Sequence, residues 1–303
     1  MVKEQKDELY YIFPHRMRDA LQDHPWYREN LEEIRLRVGQ APRFRYGSGG
    51  DGEEILEMAP LLPEDMQEMY EYLCEYSKYA YSRQVQQGFL ALQGGIRVGV
   101  AKQENTYPMF FNIRVPRERK GCGLVLLPYL LKEREPGREL QMYHTLILSP
   151  PGAGKTTLLR DLVRLLSQAG IGNISVVDER FELAACHEGV PQNDLGQTTD
   201  IYAGFDKTTG CMQAIRTMSP QLLVVDEIGS KEDGEILSYA MRCGIQLLAT
   251  MHGEDSKKYA WLKEHVTSFA QLEFERIIEV ICTPEGRCYR VVDQKGEELC
   301  IVS

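Results

Sequence analysis

The stretch TLILSPPGAGKTT at residues 145–157 constrains the fold more than any other part of the chain. A short apolar run, Thr145 to Leu148, ends at a glycine-rich turn. Leu158, Leu159, Leu162, Val163 and Leu166 then follow at helical spacing until Gly170 stops the pattern. A strand, a turn and a helix in this order surround a polyphosphate with backbone N–H groups and turn the positive end of the helix toward it. The loop is Pro151, Gly152, Ala153, Gly154, Lys155, Thr156 and Thr157. Lys155 is placed to reach the β- and γ-phosphates, and the Thr156 hydroxyl to reach Mg²⁺. The usual loop has a glycine, four free positions and Gly-Lys-Ser/Thr, and here Ser149 stands in the first glycine position. Pro150 and Pro151 restrict the backbone beyond it, so the expectation is a negative φ at Ser149, where serine costs little. Taken alone, GAGKTT also reads as an ordinary turn before a helix.

A second motif decides between the two. LLVVDEIG at 222–229 is an apolar run ending in Asp226 and Glu227, at the carboxyl edge of a strand, where ligands of open α/β sheets sit. Asp226 is expected in the Mg²⁺ shell and Glu227 as the general base that polarises an attacking water. Ile174 to Val177 and Ile245 to Ala249 are further apolar runs that alternate with helical stretches. Together they predict a parallel sheet covered on both faces. The tail RIIEVICTPEGRCYRVVDQKGEELCIV contains strand candidates joined by Pro284-Glu285-Gly286 and Lys295-Gly296, which predicts an antiparallel meander closing the domain.

At 303 residues the chain is long enough for two domains. The texture before residue 120 is different: a helical start at Leu9 to Leu21, alternating Ile34, Leu36 and Val38, a helical patch from Pro63 to Tyr81, then GFLALQGGIRVGVA and FFNIRVP as strands. This predicts a smaller α+β domain at 1–120 and an α/β domain at 121–303, with the charged run 117–121 as the joint. The net charge of −10 argues against a protein built to grip nucleic acid, which needs a basic surface. The first residues alternate charges without an apolar core, and Gly121 to Leu131, the longest apolar stretch, is far below the roughly 20 residues of a spanning helix. The expectation is a soluble, cytoplasmic chain. Its eight cysteines are scattered singly, which reads as free thiols in a reducing compartment rather than a zinc site.

Three further features narrow the class: Asp178 and Glu179 in ISVVDERFEL, Arg216 in AIRTMSPQ, and His252 ending LLATMHG. With the two motifs they resemble the secretion ATPases of type II and type IV systems and the pilus retraction motors. The resemblance implies a RecA-like P-loop ATPase domain that assembles as a hexameric ring. Asp178-Glu179 looks like that family's acidic box, Thr250-Met251-His252 like its histidine box that senses the γ-phosphate, and Arg216 like the arginine before the Walker B strand. The stretch EIRLRVGQAPRF is similar to the family's N-terminal strand and turn but carries Glu33 and Arg35. The strands with Arg97 and Arg114 are similar to those carrying nucleotide-facing arginines. SPPGAGKTT, VVDERFELAAC and QTTDIYAGFDKTTG resemble the sporulation branch of the family. That likeness implies a motor with membrane proteins of a channel complex between mother cell and forespore as partners, acting on the mother-cell side without spanning the membrane.

Two other readings use the same motifs. A DNA-translocating or recombination ATPase shares the fold, against the acidic balance and the lack of a basic-aromatic strand. A P-loop kinase or switch GTPase acting without a ring would need an acceptor or a guanine-reading Asn-Lys-x-Asp motif, and the latter is absent from the sequence. For a motor, closure of one domain on the other transmits the work, and Gly121 and Gly123 are the expected hinge.

Overall fold

The computed structural model describes residues 2–28, 30–47, 52–74, 88–103, 106–116, 120–133, 137, 140–253, 255–283 and 286–302. The chain divides into two compact units, Met1–Arg117 with Ala185–Gln192, and Glu118–Ala184 with Asn193–Ser303. The expected joint at 117–119, residues 75–81 of the expected second helix, and the 284–285 turn lie outside the described residues.

In the first unit, the expected helix over Leu9 to Leu21 is two helices, α1 (Val2–Ile12) and α2 (His15–Leu21). Pro14, in an extended conformation, separates them because proline disfavours the helical region for the residue before it. The strands are β1 (Leu31–Arg37), β2 (Arg43–Tyr46), β3 (Glu53–Ile55), β4 (Phe89–Ala91), β5 (Arg97–Lys102) and β6 (Pro108–Arg114), in the order β3-β2-β1-β6-β5-β4. Every pairing among them is antiparallel. Ile34, Leu36, Phe44, Phe111, Ile113 and Val98 take one face and join Phe13, Met17 and Trp26 in the core. Helix α3 (Pro63–Leu73) adds Met66, Met69 and Tyr70 to the same core, at the helical spacing the sequence shows. The alternate positions form the other face. There Arg97 stands directly opposite Arg114, and Arg114 opposite Glu33.

The second unit holds an eight-stranded sheet in the order β14-β13-β12-β7-β11-β10-β8-β9. From β12 to β9 every neighbouring pair is parallel, and β13 and β14 add an antiparallel meander at one edge. Strands β7 (Thr145–Ser149), β8 (Ile174–Asp178) and β10 (Leu222–Val225) are buried at every position, as expected of strands covered on both faces. β11 (Gln246–His252) extends past the expected Ala249 to His252. β9 (Thr199–Ala203), at the opposite edge, is half-exposed and lacks a continuous apolar run, which is why the sequence pattern did not predict it. Helices α4 (Lys155–Ala169), α5 (Lys207–Thr217), α6 (Lys231–Arg242) and α7 (Lys257–His265) connect or follow these strands. The remaining strands are β12 (Arg276–Thr283), β13 (Gly286–Asp293) and β14 (Glu298–Val302).

The glycines expected to form a hinge are held in place. The N–H groups of Gly121 and Gly123 donate to the Asp161 carboxylate of α4 at 3.0 and 2.8 Å. A side chain at Gly123 would meet Leu162 Cδ2 at 2.7 Å, so this turn is packed onto the helix rather than free to pivot.

Candidate active site

The parallel strands end side by side, and their carboxyl ends carry the motifs. Ser149 of β7 pairs with His252 of β11, Ala249 with Val225 of β10, and Val225 with Val177 of β8. This register puts Thr250, Asp226 and Asp178 in one row at the strand ends, with the glycine-rich turn beside them. Ser149 is buried, ends its strand and does not adopt positive φ, in line with the expectation for a serine there. Gly152 and Gly154 do, at φ 76° and 90°, which a glycine adopts without strain. Pro151 and Gly152 are exposed, Ala153 is buried and closes the turn through its N–H to the Pro150 carbonyl, and Thr156 and Thr157 are half-buried in the first turn of α4.

Lys155 is only 5% exposed, and among the described residues its Nζ has no hydrogen-bond partner. It lies 3.6 Å from Asp226 Oδ1 and 3.5 Å from Glu227 Oε1, shared between two carboxylates. A buried ammonium without hydrogen bonds is costly, so this geometry fits a lysine awaiting an anionic ligand. Thr156 Oγ1 donates to Asp226 Oδ2 at 3.3 Å. A hydroxyl and a carboxylate together are the hard oxygen donors Mg²⁺ selects, with its other positions left to water and phosphate. Thr250 Oγ1 donates to Asp226 Oδ1 and accepts from the Glu227 N–H at 2.9 Å.

Glu227 adopts the left-handed region at φ 55°, a conformation costing a non-glycine residue about 1–2 kcal/mol. Its carboxylate is clamped: His252 Nε2 lies 2.9 Å from Oε1, and Arg180 Nη1 pairs with Oε2. Lys207, at the start of α5, donates to the Glu227 backbone carbonyl and lies 3.7 Å from Asp233. Burial works to raise the Glu227 carboxyl, but Lys155, then Arg180 and the His252 contact outweigh it and hold the group below the ordinary glutamate value. Glu227 is therefore ionised at neutral pH.

The other expected residues are placed differently. Asp178 is 2% exposed and accepts from the N–H groups of Glu182, Leu183 and Ala184, so it shapes the loop after β8 instead of facing a ligand. Burial raises its carboxyl, the loop's N–H groups lower it, and nearby Asp226 raises it further, leaving it above the ordinary aspartate value. Glu179 is half-buried with no hydrogen bond or ion pair among the described residues, and its neighbour Arg180 reaches Glu227 instead. Arg216 is exposed in the last turn of α5. It sits about 13 Å along the helix from the end that meets Glu227, so this chain does not bring it to its own cluster. Arg97 and Arg114 face each other in the first unit, Arg97 with its guanidinium 4.1 Å from the Phe89 ring centre and Arg114 exposed. Arg180, Lys207 and Thr250 were missed as site residues. Only Thr250 had a signal, its place two residues before His252 on one strand, and the other two need the tertiary fold to be found.

Residues 3–299 match the family model described as "Sporulation stage III, protein AA". The stage III sporulation protein AA of Bacillus subtilis (strain 168) is 32% identical, over 97% of this chain and 97% of its own. Among solved structures, the pilus retraction motor PilT with bound ADP superposes with a TM-score of 0.63 at 14% identity, over 91% of this chain and 81% of PilT. The Yersinia pseudotuberculosis ATPase DotB does so with a TM-score of 0.63 at 12% identity, over 93% and 80%. At such identities the structures establish the fold, which is that of the secretion and pilus-motor ATPases. The family model spans nearly the whole chain, and on that ground the chain belongs to the stage III sporulation protein AA family.

Proposed function

We propose that the chain is an Mg²⁺-dependent ATPase, a motor of the secretion ATPase type that energises a membrane-bound channel complex during endospore formation. The observation that carries this reading is the clamped Glu227, ionised and strained beside the unsatisfied Lys155 and the Thr156–Asp226 pair. Bound Mg²⁺, held by Thr156 and Asp226, would supply charge neutralisation at the phosphates. A polyphosphate offers Lys155 a stronger partner than the two carboxylates it now shares, and drawing Lys155 away releases Glu227 Oε1. Glu227 then takes a proton from water as that water attacks the terminal phosphorus, the bond from that phosphorus to the bridging oxygen breaks, and ADP and phosphate leave. His252, hydrogen-bonded to the same oxygen, reports whether that phosphate is present. Thr250 fixes both acids by holding the Asp226 side chain and the Glu227 N–H.

Arg97 and Arg114 act in this reading on the nucleotide of a neighbouring copy, in a ring of six, where they stabilise transition-state charge. The two stand directly opposite each other on adjacent strands, and Arg114 is also opposite Glu33. Glu179 and Arg216 are assigned to contacts completed in the assembled ring. The reading assigns a membrane protein as the partner that recruits this chain, and among the described residues no helix is long and apolar enough to cross a membrane. The test separates binding from chemistry. Lys155→Ala is expected to lose ATP and ADP binding, and Glu227→Gln to keep ADP binding while phosphate release falls at least 100-fold. Full turnover in Glu227→Gln would contradict the assignment.

A further inference from the structure

One cation beside the phosphate-binding turn has no role in the cluster described above. Arg287 lies on β13, opposite Cys282 of β12, and β12 runs parallel to β7 on the side away from β11. Glu279 of β12 pairs with Leu148, almost the last residue of β7. The hairpin therefore projects about 10 Å past the end of β7, alongside the glycine-rich turn. Its guanidinium rests against that turn: a Cβ added at Gly154 would meet Arg287 Cζ and Nη1 at 2.5 Å and Nη2 at 2.7 Å. Gly154 is thus required twice, by its positive φ and by the space the arginine occupies.

Arg287 is half-buried and has no hydrogen bond or ion pair among the described residues. Its charge is also felt at Cys122, in the turn held by Asp161. Burial and then the Asp161 carboxylate push the Cys122 thiol up, and the Arg287 charge opposes them. A guanidinium with no ion pair among the described residues, Lys155 without a hydrogen bond, and the positive end of α4 at its N-cap Gly154 converge on one turn, an arrangement that suits a polyanion.

We infer that Arg287 is a nucleotide-binding residue that grips the nucleoside-diphosphate part of the ligand, on the flank opposite the hydrolytic acids. The side follows from strand order. Asp226, Glu227 and His252 belong to β10 and β11, on one side of β7, so the bond-breaking end of the nucleotide lies there. Arg287 comes from the other side, where the α- and β-phosphates and the sugar extend. A guanidinium fork suits two phosphate oxygens at once, which a lysine cannot match.

The inference rests on the nucleotide-binding reading above, and the experiment tells the two apart. ADP and ATP affinities are measured by titration calorimetry on the full chain, on Arg287→Ala and on Arg287→Lys, with melting curves to establish folding. Arg287→Ala is expected to weaken ADP and ATP by the same factor, on the order of tenfold or more. Arg287→Lys should recover part of the loss, and KM for ATP should rise by more than kcat changes, the mark of binding shared by ground and transition states. Equal affinities in a folded Arg287→Ala, or a loss confined to ATP, would overturn the inference alone. Failure of the unchanged chain to bind either nucleotide would overturn it together with the proposed function.

Discussion

In the proposed mechanism Glu227 carries the chemistry, and its surroundings set its proton affinity. Arg180, on the exposed loop after β8, pairs with one carboxylate oxygen and helps hold the group below its ordinary value. Removing that charge moves the Glu227 carboxyl upward. Arg180→Ala is therefore expected to shift the acid limb of the pH–rate profile for ATP turnover to higher pH, and an unmoved limb would mean that another group titrates there. Residue identity made part of this legible. Lys155, Thr156, Asp226, Glu227 and His252 could be named because their motifs fix both residue type and place, the first two at a helix start and the others at strand ends. Asp178 shows the limit: an acid at a strand end looks the same in sequence whether it faces a ligand or turns back to hold three N–H groups of its own loop.

Among the elements, α4 ties the glycine-rich turn to the segment that precedes it. Asp161, one helical turn below the loop, accepts from Gly121 and Gly123 and pairs with Arg164 at 2.6 Å. Burial works to raise its carboxyl, but the two N–H groups, Gly123 first, and Arg164 hold it below the ordinary aspartate value. A carboxyl lower in the folded than in the unfolded state stabilises fully above its unfolded value, near 3.9 for aspartate, and loses that contribution as pH falls through the folded value. Asparagine has one acceptor oxygen where Asp161 uses two, so Asp161→Asn leaves a buried N–H unpaired. It is expected to cost about 1–3 kcal/mol at neutral pH, and the gap to the unchanged chain should narrow as pH falls toward 3 in denaturant titrations. A gap independent of pH would contradict the ionised role. The parallel core strands were legible because burial on both faces demands unbroken apolar runs such as LLVV. The edge strand β9 and the break at Pro14 were not, since a half-exposed edge needs no such run and Pro14 interrupts a pattern whose apolar spacing continues across it.

For the whole molecule, the chain divides into two units, and among the described residues the acidic cluster is built from the second. The segment Ala185–Gln192, which interrupts the second unit in sequence, belongs with the first, where Gln192 Oε1 accepts from the Gly94 N–H at 2.9 Å and His187 Nδ1 lies 3.2 Å from the Ala91 carbonyl. A division at residue 120 alone does not describe this exchange, because sequence texture follows the chain and a loop reaching back across it leaves no mark. In the proposed function this chain hydrolyses ATP at the Lys155–Glu227 cluster with arginines supplied by neighbouring copies. The most direct test is phosphate release per chain over a wide range of protein concentration, beside Glu227→Gln at each point. Specific activity is expected to climb with concentration, and the control to show no turnover throughout. No turnover from the folded chain at any concentration, or turnover that survives in Glu227→Gln, would contradict it.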